Sequence, residues 1–109
     1  VYVHDTAVHV PAAQRLTAGD VAVPADPSSA AFFAALAALS AGGVLALPDV
    51  CLNPTRTGFF VALTDMGAHL PVDDERREGG EDVGTVLAHA GRPLRGTTVD
   101  AAEVPAMVD

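Results

Sequence analysis

Apolar runs along the chain are short and are separated by small, polar or Pro/Gly-containing breaks. Val8 to Val10 and Val21 to Val23 have the clustering of short strands, with the small and polar stretch Pro11 to Asp20 between them. Asp26-Pro27-Ser28-Ser29 then has the form of a helix start, an Asp N-cap followed by Pro at the first helical position. The helix is expected to run to about Leu39 and to stop before Gly42-Gly43. Its body, Ala30 to Leu39, is apolar on every side, whereas a surface helix carries a polar stripe. Burial all round is therefore expected, against more chain than this sequence supplies.

Val44 to Val50 follows as a strand. Asn53-Pro54 repeats the cap-then-Pro signal and predicts a second helix to about Met66, closed by Gly67. Ala68 to Val72 and Val83 to Ala88 are further strands. Between them Asp73 to Asp82, with Gly79-Gly80, has the composition of a solvated hairpin loop. Thr97 to Val99 and Ala102 to Asp109 are expected to open a following unit, the latter as a helix. The predicted order is β-α-β-α-β-β. It implies an α/β (α+β) fold with parallel pairing through crossovers, plus one hairpin. No internal repeat is visible. The chain begins at Val1 and stops where a new helical pattern starts, as expected of an internal piece of a longer protein.

Composition narrows the function. Half of the 109 residues are apolar, but there is no Trp, so the core rests on Ala, Val and Leu. A chain of this length buries only about two-thirds of its unfolded surface, which makes its stability modest. Fourteen acids oppose six bases for a net charge of −8, and all six bases are Arg (15, 56, 76, 77, 92 and 95). Such a balance argues against nucleic acid, whose affinity comes largely from cations against phosphates, and against an anionic membrane surface. The longest apolar run, Ala30 to Leu39, is far shorter than the roughly 20 residues that cross a bilayer.

The single Cys51 precludes an internal disulfide, is compatible with a reducing cytosol, and is expected to be a small buried filler. His4, His9, His69 and His89 fall in no zinc-binding spacing, so no metal is expected, and no Gly-rich phosphate loop with Lys is present.

Three stretches carry a resemblance. Val23-Pro24-Ala25-Asp26-Pro27-Ser28-Ser29-Ala30-Ala31-Phe32-Phe33 is similar to V-P-G-D-x-S-S-A-A-F-F. Asn53-Pro54-Thr55-Arg56-Thr57-Gly58, with Met66-Gly67-Ala68, matches N-P-T-R-T-G and a closing M-G-A. Leu94-Arg95-Gly96-Thr97, then Val104-Pro105 and Val108-Asp109, resembles L-R-G-T, a V/I-P and the I-D of an L-I-D-E segment. Together, in this order, they resemble the EPSP synthase (3-phosphoshikimate 1-carboxyvinyltransferase) family over residues 20 to 109. Ala25 and Cys51 stand where that family usually has Gly, and Glu81 to Ala90 lacks an expected Glu-Pro pattern. Ala resists a positive φ if the turn needs one.

The resemblance implies two similar domains joined by a hinge, each of three β-α-β-α-β-β units with helices packed inside. It implies transfer of an enolpyruvyl group from phosphoenolpyruvate to the 5-hydroxyl of shikimate 3-phosphate, without metal or organic cofactor. On that reading residues 1–20 are the tail of the other domain with a hinge near Gly19-Asp20, 21–100 are one unit, and 101–109 start the next. Asp109 aligns with the Asp of the L-I-D-E segment. It is implied to contact the hydroxyls of shikimate 3-phosphate and to be a candidate base for the attacking one, so it is both the catalytic and the substrate-binding candidate. Ser28-Ser29 are expected to cap a helix rather than bind phosphate. Arg56 and Arg95 are expected to pair with a carboxylate or carbonyl between units.

The family's cationic groups lie outside this stretch. The chain alone is therefore expected to be inactive and marginal or self-associating, and the whole enzyme a cytoplasmic monomer. The rival expectations are a non-catalytic self-associating or partner-binding module of this fold and, more weakly, a free-standing phosphate-binding domain.

Overall fold

The computed structural model describes residues 1–108. A small hairpin, β1 (Tyr2–His4) and β2 (Ala7–His9), opens the chain, with all six strand residues exposed. The rest is built from α1 (Pro27–Leu39), β3 (Val44–Cys51), α2 (Gly58–Asp65), β4 (Val72–Glu78) and β5 (Glu81–His89), followed by a 3-10 turn, η1 (Val104–Ala106). The sheet order is β3-β5-β4, and both neighbouring pairs are antiparallel. β3 and β4 consequently run in the same direction with β5 inserted between them. The fold is mixed α/β as expected, but the expected parallel pairing is reduced to one bridge, Ala25 to Val50.

Val21 to Val23 form no strand, and the first strand of the predicted unit shrinks to that bridge. It is held by Ala25 N–H on the Asp49 carbonyl (2.7 Å) and Cys51 N–H on the Ala25 carbonyl (3.0 Å). The predicted strand at Ala68 to Val72 is a bridge at His69 before β4 begins at Val72. The charged stretch expected to be a loop is strand β4 itself. Only Gly79-Gly80 make the turn, both at positive φ (61° and 91°), as a two-residue turn of type I′ requires. β4 is an edge strand, where charged side chains keep foreign strands away, so its polarity is no obstacle to pairing with β5. The helix expected over Ala102 to Asp109 is one short turn, Val104–Ala106; Asp109 lies outside the described residues.

Two bulges shape the sheet. β3 carries an extra residue between Leu47 and Val50, and β4 one between Asp73 and Arg76, both opposite Val83 to Val86 of β5. Each bulge holds an Asp in the left-handed region, Asp49 at φ 57° and Asp74 at φ 52°. Asp tolerates that conformation better than most residues because its short polar side chain bonds locally. Arg76 ties the two together. Its guanidinium donates to Asp49 Oδ1 (2.6 Å), Asp74 Oδ2 (3.2 Å) and Glu78 Oε2 (3.1 Å). The bond to Asp49, with those to Glu78, holds the Arg76 guanidinium more firmly protonated than usual against a smaller opposing effect of desolvation.

The core lies between α1, α2 and one face of the sheet: Ala30, Ala34, Ala37 and Ala38 of α1, Phe60 and Leu63 of α2, and Val50, Val86 and Ala88. The Ala-rich face of α1 lets its backbone approach the sheet closely. The opposite face is left exposed by this chain, whose other segments do not reach it; the all-round burial expected called for more chain than the sequence supplies. Phe32, Phe33, Leu36 and Leu39 are 55–80% exposed. The four side chains form one apolar strip along the helix.

Candidate functional site

The three motif stretches meet in space near the start of α1. Asp26 caps α1 through its carboxylate, which accepts from Ser28 N–H (3.3 Å), Ser29 N–H (3.0 Å) and the Ser29 hydroxyl (2.8 Å). Both serines thus serve the cap, as their position after Asp predicted. Chiefly the Ser29 hydroxyl and amide, and least the Arg56 charge, hold the Asp26 carboxyl below its ordinary pKa.

Asn53-Pro54-Thr55-Arg56 does not start α2. The Asn53 side-chain oxygen accepts from Thr55 N–H (3.0 Å) and the Thr55 hydroxyl (2.8 Å), and Arg56 N–H reaches the Asn53 carbonyl (2.8 Å). That local bonding makes an Asx turn and delays the helix to Gly58, with Thr57 at the cap position. The turn projects Arg56 back onto the first motif. Its guanidinium donates to Asp26 Oδ1 (3.0 Å) and Ser28 Oγ (3.2 Å). One partner of Arg56 is therefore the carboxylate that caps the preceding helix, within residues 21–100 and not across a unit boundary. α2 ends at Gly67, where Gly67 N–H bonds the Thr64 carbonyl (2.8 Å) and Ala68 N–H the Leu63 carbonyl (3.1 Å), a Schellman closure.

The third stretch arrives at the same place. Gly58 sits so close to η1 that a Cβ there would lie 2.7 Å from Met107 Cγ and 2.9 Å from the Ala106 carbonyl oxygen. The last residue of the Asn-Pro-Thr-Arg-Thr-Gly motif is thus the seat of the segment leading toward Asp109. Between α1, α2 and this segment lies an open groove of about 340 Å³, with Pro27, Phe32, Phe59 and Met107 on its apolar walls and Ser28 and Arg56 at its polar end. The Arg95 side chain is exposed, but its N–H bonds the Met66 carbonyl (2.8 Å), so the Leu-Arg-Gly-Thr stretch packs on the end of α2.

The remaining candidates are simpler. Cys51 is half-buried, with its thiol 3.8 Å from Glu81 Oε2, which also accepts from Asn53 Nδ2 (3.4 Å). His4 and His9 lie in the exposed hairpin. His69 and His89, twenty residues apart and unremarkable in sequence, are brought side by side with ring centroids 4.6 Å apart and planes tilted by 53°. Only the strand register could have revealed that pair. Among the described residues no group of three or more His, Cys, Asp or Glu side chains is placed to hold a metal ion, and no helix is long and apolar enough to cross a membrane.

The sequence profile of EPSP synthase (3-phosphoshikimate 1-carboxyvinyltransferase) matches residues 2–108. The chain belongs to the EPSP synthase family. A 3-phosphoshikimate 1-carboxyvinyltransferase of a Sulfurihydrogenibium species is 45% identical over 102 residues, covering 94% of this chain and 23% of that protein. One from Limosilactobacillus fermentum is 47% identical over 95 residues, covering 87% and 22% respectively. A solved EPSP synthase from Acinetobacter baumannii superposes with a TM-score of 0.79 at 40% identity, over 86% of this chain and 21% of that one. The chain therefore spans about a fifth to a quarter of the length of the family members it matches. In this chain the three converging stretches lock α1, α2 and the following segment together through the Asp26 cap, the Asn53 turn and the Gly58 seat.

Proposed function

We propose that this chain supplies one β-α-β-α-β-β unit to an enzyme that transfers the enolpyruvyl group of phosphoenolpyruvate to the 5-hydroxyl of shikimate 3-phosphate and releases phosphate. The family match over residues 2–108 carries the reading. On this proposal residues 1–20 belong to the neighbouring domain and hinge, 21–100 form the unit and 101–109 begin the next. The complete enzyme works as a cytoplasmic monomer. Asp109 contacts the hydroxyls of shikimate 3-phosphate and takes the proton of the attacking 5-hydroxyl, a role for which a carboxylate within hydrogen-bond reach is chemically suited.

The chain's part is otherwise structural. Both substrates are strongly anionic, and the transition state gathers charge that several cations must stabilise. Here the net charge is −8 and there is no Lys. Among the described residues Arg56 pairs with Asp26, Arg76 with Asp49, Asp74 and Glu78, and Arg77 with Asp82, so these cations are already committed. The chain by itself is consequently inactive, and the cations come from the rest of the enzyme.

A chimera tests this. Residues 1–109 replace the matching segment of the Acinetobacter baumannii enzyme, and phosphate release is followed with both substrates. The chimera should turn over, and Asp109→Asn in it should lower kcat by about 10²–10⁴-fold. The 109-residue chain alone should give neither turnover nor heat with millimolar shikimate 3-phosphate. A chimera that melts cooperatively yet is inert would favour the second reading, a non-catalytic module that binds partners through the exposed strip of α1.

A further inference from the structure

We propose that His69 and His89 form a two-nitrogen surface site for a divalent transition-metal ion of the zinc, nickel or copper class. The two residues are direct partners in an antiparallel bridge, with His89 N–H bonded to the His69 carbonyl (3.0 Å). Directly opposed residues of an antiparallel pair project their side chains to the same face of the sheet. The imidazoles accordingly lie with centroids 4.6 Å apart and planes tilted by 53°. Zinc–imidazole bonds are about 2.0–2.1 Å long, so two nitrogens on one tetrahedral ion stand roughly 3.4 Å apart. Rings with centroids 4.6 Å apart are close enough to present two nitrogens at that spacing.

Metal binding requires the unprotonated imidazole. Arg92 opposes an incoming cation locally, whereas the chain's net charge of −8 draws cations overall. No third protein donor is in place among the described residues, so water completes the coordination and the ion exchanges freely. A bound ion would clasp the segment between α2 and β4 to the end of β5.

The experiment titrates the 109-residue chain with Zn2+ while the histidine ring resonances are read by NMR and the heat by calorimetry. One equivalent should bind, shifting the rings of His69 and His89 and leaving those of His4 and His9 in place. His69→Gln and His89→Gln should each weaken binding at least about tenfold, a direct ligand costing no less than an outer-shell partner. His9→Gln should not weaken it, and circular dichroism of all three variants should match the parent. Zn2+ should also raise the melting temperature of the parent but not of His69→Gln. Unchanged affinity in both His69→Gln and His89→Gln, or shifts confined to His4 and His9, would overturn the proposal.

Discussion

Gly58→Ala is the most direct test of how the motifs interlock. The φ of Gly58 is not positive, so alanine meets no backbone strain, and at the start of α2 it is the better helix former by about 0.5–1 kcal/mol. Against this stands the new methyl group, 2.7 Å from Met107 Cγ, 2.9 Å from the Ala106 carbonyl oxygen and 3.0 Å from its carbon. Met107 is flexible and can swing aside. The Ala106 carbonyl is backbone, and relief to an ordinary carbon–oxygen contact of about 3.3 Å requires it to retreat by roughly 0.4 Å. Overpacking of this kind costs about 1–3 kcal/mol. The net loss is then about 0–2.5 kcal/mol, toward the upper part of that range because the contacted carbonyl is backbone, and each kcal/mol lowers the midpoint of a domain this size by about 4–8 °C.

Hydrogen exchange localises the effect. The Ala106 and Met107 amides, bonded to the Glu103 carbonyl (3.0 Å) and the Val104 carbonyl (2.9 Å), should exchange faster in Gly58→Ala while those of β5 do not. Gly58→Ala/Met107→Ala should recover only part of the loss, because the backbone contact remains. Gly42→Ala, where nothing lies within 4 Å, should show neither effect. A stabilised Gly58→Ala with unchanged exchange at Ala106 and Met107 would refute the interlock.

Two further outcomes follow from the cap and from the exposed helix face. The folded pKa of Asp26 is lowered from 3.8, so its stabilisation is fully present above the unfolded value and is lost as pH falls through the lowered folded value. Asp26→Ala should flatten the acid limb of the stability–pH curve and leave its slope between pH 5 and 8 unchanged; an intact acid limb in chemical denaturation would count against the cap. The strip of Phe32, Phe33, Leu36 and Leu39 should make the chain self-associate with concentration. Phe32→Glu/Leu36→Glu should yield a monomer in sedimentation velocity without a lower melting temperature, and a monomeric parent at all concentrations would remove the idea.

The sequence by itself determined the local structure wherever a residue's own chemistry decides it. Asp26 before Pro27 set the start of α1 because a carboxylate at that point satisfies free N–H groups whatever surrounds it. Gly67 ended α2, and Gly79-Gly80 turned the hairpin, because their backbone conformations exclude most other residues. The family, too, was legible in three linear motifs. The choice between strand and loop in Asp73 to Asp82 was not, because an edge strand can be as polar as a loop and only β5 beside it makes it a strand.

Asn53-Pro54 looked like a helix cap until the Asn53 side chain bonded Thr55 instead, a competition between two local geometries that the same letters permit. Contacts between distant positions were hidden altogether. Arg56 on Asp26, Gly58 under Ala106 and His69 against His89 are brought together only by the packing of α1, α2 and η1 and by the register of β5. Periodicity shows which residues prefer burial, but which side of a wholly apolar helix is buried depends on what stands beside it. In this chain the small alanines face the sheet because only they allow close approach, and the larger Phe and Leu side chains remain outside.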